Sequence, residues 1–318
     1  MELTTLLKTR VISRRDFIKM VTSAAAALGL AGVLPKDWAQ AAAKPAVIWL
    51  HGQECTGCTE SIIAGISSSR FDQPDPGEVI LNFVEIKYHE TIMAAAGDVA
   101  EKALEDSIAA GSYILVVEGS IPSSDPRFLH VAGKPLEDTF VAAAKNAIAV
   151  IAIGACASYG GINKPCASGG QGMEYFLKKH NINKPLVNLP GCPLKPEWFF
   201  GTVVYYLAYG KLPALDQHKR PKMYFSRTVH DDCPRRMYYH HGLFLLDWND
   251  PKQANYCLLL KGCKGQATYA NCPTLLWNDG ANWCIGSNAP CAGCTEPNFY
   301  GGFSPLYQNT LGYHTSNK

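Results

Sequence analysis

The chain has 318 residues, 47% hydrophobic and 18% charged, which suits about two domains with a buried core and excludes a disordered chain. Its 28 Gly and 20 Pro follow no Gly-X-Y period, so collagen is excluded and a loop-rich fold is allowed. Residues 1–43 hold six of the 29 basic residues and three of the 27 acids, so the net +2 becomes −1 beyond them and leaves no basic field for nucleic acid.

Ser13-Arg14-Arg15-Asp16-Phe17-Ile18-Lys19 leads into the apolar stretch 21–34, and Ala39-Gln40-Ala41 supplies small residues for cleavage. This pattern reads as a twin-arginine signal peptide over residues 1–43, cut near Ala41 or Ala43. A short membrane anchor competes, but about 14 apolar residues fall short of the roughly 20 a span needs. Because that route carries folded proteins, cofactors can be inserted before export. No second apolar run of spanning length follows, and the tail from Tyr307 is polar. The mature chain is therefore expected in the periplasm, soluble or held at the membrane through another subunit.

Beyond the signal, Pro45 to Leu50 is a short apolar run ending at His51-Gly52, which predicts a buried strand entering a turn. Further strands are expected over 79–86, 113–117, 148–153 and 185–189. Helices are expected over 59–67, 98–110, 137–146, 172–180 and 197–209. Strands alternating with helices predict a parallel, doubly wound α/β sheet over residues 44–215. After about Leu215 the periodicity fails. Residues 216–318 carry seven of the 12 cysteines among many turn residues, which predicts a second domain held by inorganic clusters more than by apolar packing.

Disulfides suit an oxidising compartment, but disulfide scaffolds are usually small domains without a core, and these cysteines sit in Gly- and Pro-marked turns. Cys55-Thr56-Gly57-Cys58 follows the first strand, Cys156 the fourth and Cys192 the fifth. In a parallel sheet those loops open at one edge, so four thiolates converge, as a 4Fe–4S cubane requires. A C-x-x-C taken alone equally suits a thioredoxin-like redox pair or half of a zinc site. No Gly-rich dinucleotide loop follows the first strand.

His230, Cys233, Cys257 and Cys263 form a second set, one imidazole with three thiolates; a Cys3His zinc site fits the same spacing. An imidazole in place of a thiolate makes a cluster less negative and should raise its potential. Cys272, Cys284, Cys291 and Cys294 form a third set, again four thiolates. Cys166, in a polar Gly-rich loop, is left over and is read as a non-ligand. Three clusters with no substrate-pocket motif have the composition of a wire between redox partners.

With these motifs together, the sequence resembles the small, electron-transferring subunit of periplasmic nickel–iron hydrogenases. The matching segments are ECTGCTES (54–61), GACASYGG (154–161), PGCP (190–193), H-x-x-C (230–233), GCKG (262–265), NCP (271–273) and CAGCTEPNF (291–299). The resemblance implies a flavodoxin-like N-terminal domain with a proximal 4Fe–4S cluster on Cys55, Cys58, Cys156 and Cys192. It implies a loop-rich C-terminal domain with a distal 4Fe–4S cluster on His230, Cys233, Cys257 and Cys263 and a medial cluster on Cys272, Cys291 and Cys294. The nickel–iron centre that splits hydrogen would belong to a large-subunit partner, which makes this chain a hydrogenase subunit without catalytic residues of its own. Electrons would pass to an acceptor such as a c-type cytochrome or a membrane cytochrome/quinone module. Glu54 falls on an acid that could serve proton movement at the subunit interface, although a carboxylate pairing a neighbour explains it as well.

Cys284 stands where the usual medial site has proline. That departure predicts a medial 4Fe–4S cubane in place of 3Fe–4S, as in the nickel–iron–selenium branch, whereas HETIMAAAGD (89–98) looks like ordinary uptake enzymes. Gly57 and Gly161 stand where oxygen-tolerant relatives carry two extra cysteines, so an ordinary proximal cubane without oxygen tolerance from that source is expected. The C-terminal helix of membrane-bound relatives is not expected here, so any anchoring is expected from another subunit. A different class of reading is a free-standing ferredoxin-like carrier, stable alone. A third is the related cluster-bearing subunit of respiratory complex I, which typically has adjacent cysteines in its first motif and lacks a second cluster domain.

Overall fold

The computed structural model describes residues 45–66, 84–278 and 280–308, with the side chains of 207 and 208 left out. The signal segment and the 79–83 part of the expected second strand lie outside the described residues. Five strands form one sheet: β1 (Ala46–His51), β2 (Glu85–His89), β3 (Tyr113–Glu118), β4 (Ala149–Ile153) and β5 (Leu186–Leu189). Their order is 2-1-3-4-5 and every neighbouring pair is parallel. This is the flavodoxin-type arrangement, with its switch point between β1 and β3. The doubly wound sheet expected from the strand–helix alternation is present.

The strands hold this place because both of their faces are apolar, as a sheet covered on two sides demands. On one face Ile48, Leu50, Leu115, Val117 and Val150 meet three helices: α2 (Asp98–Ala110), α3 (Glu137–Asn146) and α5 (Met173–Lys179). Leu104 and Ile108 of α2 are buried four residues apart, the helical repeat of a core-facing stripe. On the other face Val47, Trp49, Val116, Ile151 and Val187 meet α1 (Gly57–Ile66) and α6 (Pro196–Tyr209). Pro196 opens α6, where a missing N–H costs nothing, and Gly210 closes it at φ 62°. A short helix, α4 (Gly154–Tyr159), directly continues β4.

The helices after α6 are only four or five residues long, Lys222–Phe225, Arg236–His240 and Cys272–Leu275. The second region nevertheless has more apolar packing than its sequence suggests. Phe225, Val229, Leu245, Leu258, Trp283 and Ile285 join the same core as Val187 and Trp198. Apart from Phe225, which ends a four-residue helix, they come from turns and irregular segments, so no periodicity announces them. The cysteine-rich region is thus fixed against the sheet face that carries α1 and α6. Among the described residues no helix is long and apolar enough to cross a membrane.

Candidate metal-cluster sites

The sheet register brings the first cysteine set together. His51 pairs with Glu118, Glu118 with Ile153, and Ile153 with Leu189, so the carboxyl ends of β1, β3, β4 and β5 lie level. Cys55 and Cys58 follow β1, Cys156 rides on α4 and Cys192 follows β5. Burial pushes the Cys156 thiol up to about 11, and neighbouring Cys192 and Cys55 add to the rise. Cys58 stands well above the ordinary thiol range through burial, then Glu118, then Cys156 and Cys192. Such thiols stay protonated in neutral water, and a coordinated metal ionises them. The backbone is shaped around the sulfurs. At Gly154 (φ +79°) an added Cβ would come within 2.5 Å of the Cys58 Sγ, and at Gly161 (φ +53°) within 2.9 Å of the Cys156 Sγ. Cys55 and Cys192 are exposed, so this set opens outward.

In the second set, burial raises Cys257 to about 11, with Cys263 and Cys233 adding to it. Cys233 and Cys263 rise for the same first reason. His230 joins through its backbone: its N–H donates to the Gly265 carbonyl (3.0 Å) and its carbonyl accepts from the Cys233 N–H (3.3 Å). Its ring stands edge-on to Tyr239 at 4.7 Å between centroids. Burial and then Arg236 hold the imidazole below its ordinary range, favouring the neutral form that ligates metals.

Cys272, Cys284, Cys291 and Cys294 line one cavity of about 450 Å³, with Cys192 at its wall. Burial raises Cys272 to about 11 against the opposing charge of Lys195, and lifts Cys291 and Cys294 further. Cys284 therefore stands with the other three members of its set. Among the described residues no group of three or more His, Cys, Asp and Glu is arranged to hold a metal ion. Sulfurs around a void of this size suit a polynuclear cluster better than one zinc, whose sulfur ligands stand about 2.3 Å from the metal. Cys166 is exposed and lies apart, its thiol 3.6 Å from the Ile162 carbonyl.

Two juxtapositions string the sets together. Cys192 of the first set lines the same cavity as Cys294 of the third. The third set meets the second at Lys264, the residue after Cys263, whose backbone N–H donates to the Cys291 carbonyl at 2.8 Å. Backbone groups two residues on oppose the rise from burial, at Arg235 for Cys233, Leu259 for Cys257, Gly265 for Cys263 and Gly293 for Cys291.

Several buried charges around the sets escape sequence reasoning. Glu118, the last residue of β3, caps α1 from beneath. Its Oε1 accepts from the Cys58 and Thr59 N–H groups at 3.0 and 3.2 Å, and its Oε2 from the Thr59 hydroxyl at 2.5 Å. A carboxylate at a helix N-terminus is favoured by both the free N–H groups and the helix dipole. Lys195 and Lys264 are buried beside the third set. Arg220 is buried between Asp216 (2.7 Å) and Glu296 (2.8 Å), and donates to the carbonyl of Thr295, the residue after Cys294. No spacing rule marks such single charged residues. Glu54 pairs with its neighbours, accepting from Thr56 Oγ1 at 3.2 Å and standing 3.3 Å from His51 Nδ1; its Oε2 is buried with no hydrogen-bond partner among the described residues.

Residues 225–307 match the family model for the C-terminal region of the NiFe/NiFeSe hydrogenase small subunit, and residues 55–206 that of the NADH ubiquinone oxidoreductase 20 kDa subunit. The chain is 39% identical over 311 residues to the periplasmic NiFe hydrogenase small subunit 1 of Nitratidesulfovibrio vulgaris, covering 94% of each chain. It is 40% identical over 296 residues to the uptake hydrogenase small subunit of Azotobacter vinelandii, covering 91% of this chain and 80% of the relative. Among solved structures, the NiFeSe hydrogenase of Dm. baculatum superposes with a TM-score of 0.75 at 33% identity, over 84% of this chain and 99% of that one.

Proposed function

The chain belongs to the NiFe/NiFeSe hydrogenase small-subunit family, and from that premise we propose how its residues serve the enzyme. As a hydrogenase subunit it carries electrons between the hydrogen-splitting centre of a large-subunit partner and an external acceptor. Cys55, Cys58, Cys156 and Cys192 hold the proximal cluster; His230, Cys233, Cys257 and Cys263 hold the distal one. Cys272, Cys284, Cys291 and Cys294 hold the medial cluster, a 4Fe–4S cubane in our reading. When bound, the clusters supply one-electron carriers. The observation that carries this reading is the stringing of the three sets: Cys192 shares a cavity with Cys294, and the Lys264 N–H beside Cys263 donates to the Cys291 carbonyl.

This chain's own residues hold the sulfurs in place and keep the inner ones dry. The outward-facing first set is the side for the large subunit, since a cluster there needs cover. Glu54, paired to His51 and Thr56 beside Cys55, is the proton-path candidate on that side. The acceptor, a c-type cytochrome or a membrane cytochrome/quinone module, docks over the second set. Gly57 and Gly161 offer no further thiolate to the first set. We place the domain division at residues 215/216, between the regions matched by the two family models. Relatives named periplasmic support a periplasmic location, reached by the twin-arginine route of residues 1–43.

EPR of the purified heterodimer tests the reading. Hydrogen should reduce the chain's clusters and bring up the signals of reduced 4Fe–4S centres, and the oxidised enzyme should lack a strong 3Fe–4S signal. A strong 3Fe–4S signal in intact enzyme contradicts four-thiolate ligation of the third set, and clusters that hydrogen leaves oxidised contradict the relay.

A further inference from the structure

Lys264 is fully buried, 0% exposed, yet no carboxylate pairs with it among the described residues. Its Nζ donates to the Gln308 carbonyl at 2.6 Å, and the charged neighbours that act on it are Cys263 and Cys291. Its backbone N–H donates to the Cys291 carbonyl at 2.8 Å. The residue therefore sits at the seam between the second and third cysteine sets. A buried ammonium without a counter-anion is too costly to keep, because water has been removed and nothing replaces its charge. The cysteines on both sides of Lys264 would supply that counter-anion when a bound cluster ionises them.

Lys195, on the other flank of the third set beside Cys272, provides an internal contrast. It is equally buried, but Glu197 Oε2 stands 3.3 Å from its Nζ, the Leu276 carbonyl accepts from it, and the Trp277 ring lies 4.8 Å away. Glu197 offsets part of its charge, and the remainder opposes the rise of the Cys272 thiol. Lys264 has no such carboxylate among the described residues.

We propose that Lys264 is a positioning residue for electron transfer, a fixed counter-charge that stabilises the reduced clusters of the third and second sets and so raises their potentials. The inference rests on the cluster reading above. An added electron on a thiolate-ligated cluster raises its negative charge, and a neighbouring cation in a low-dielectric interior favours that state; net charge is an established lever on such potentials. Since the seam lies on the path between the first set and the second, the cation eases the electron onward from the hydrogen side.

The test is an EPR-monitored redox titration of the purified heterodimer carrying K264Q, K264M or K264R, with K195Q as the comparison and iron content measured on each. In K264Q and K264M the reduced-to-oxidised ratio of the third-set cluster at fixed potential should fall about tenfold, equal to 59 mV for one electron. K264R should retain the wild-type ratio, and K195Q should shift it less than K264Q does. Loss of iron from both neutral variants with full iron in K264R supports the counter-charge equally. An unchanged potential in K264Q with full iron, a K195Q shift as large as that of K264Q, or equal iron loss in all three Lys264 variants overturns it. A wild-type heterodimer without cluster signals would instead remove the cluster reading itself, so the two failures are distinguishable.

Discussion

Cys192→Ala is expected to remove the first cluster, lower the iron of the complex by about a third and abolish hydrogen-driven reduction of an external dye. The effect is large because Cys192 has two duties. It is a member of the first set by position after β5, and it lines the third set's cavity together with Cys294. Alanine keeps the backbone and deletes the thiolate, so the loss reports on ligation. Outer partners of metal ligands already cost about 10–100-fold in affinity or activity, and a lost ligand should exceed that range. The iron fall corresponds to about four of roughly 12 irons in three cubanes. Cys166→Ala, at the exposed cysteine that stands apart, should leave both iron and dye reduction unchanged. Iron analysis and hydrogen-dependent dye reduction on the two variants check this; equal behaviour of the two contradicts it.

Arg220→Met should destabilise the chain by about 3–5 kcal/mol, the cost of breaking a buried ion pair by removing one partner. Arg220 is 2% exposed and satisfies two carboxylates at once, Asp216 from Nε and Glu296 from Nη1. Methionine fills much of the volume but leaves Glu296 buried, with the Tyr269 N–H its one remaining donor among the described residues, at 2.6 Å. The lost Nη1 contact to the Thr295 carbonyl also frees the loop that begins at Cys294. The loss of stability should therefore come with faster release of the third cluster. Denaturant unfolding followed beside the decay of iron–sulfur absorption measures both. A shift below about 1 kcal/mol, the worth of an ordinary hydrogen bond, would show that the pair holds little.

The parts of the fold that repeat were legible in the sequence. Apolar runs ended by Gly or Pro located four of the strands, whereas the second, expected over 79–86, is observed at Glu85–His89; the helices expected over 98–110 and 137–146 are α2 (Asp98–Ala110) and α3 (Glu137–Asn146). The gathering of Cys55, Cys58, Cys156 and Cys192 followed from parallel topology alone, since strand ends at one edge must share a crevice. Three features were illegible for physical reasons. The helix α4 is a single six-residue turn of Gly and small residues, too short to show a period. The packing of Trp283 and Ile285 against the sheet core comes from turns far along the chain. The buried charges Glu118, Lys264 and Arg220 are ordinary residues in sequence, and only burial beside a thiol or a carboxylate gives them a role. Tertiary contacts between distant segments carry no local signature.

Acid-labile sulfide of the purified heterodimer, measured beside iron and zinc, addresses the account most directly. Three four-iron clusters predict roughly 12 sulfides per complex. A sulfide content near zero with stoichiometric zinc would mean that the three cysteine sets hold structural metal, and that no electron passes through this chain.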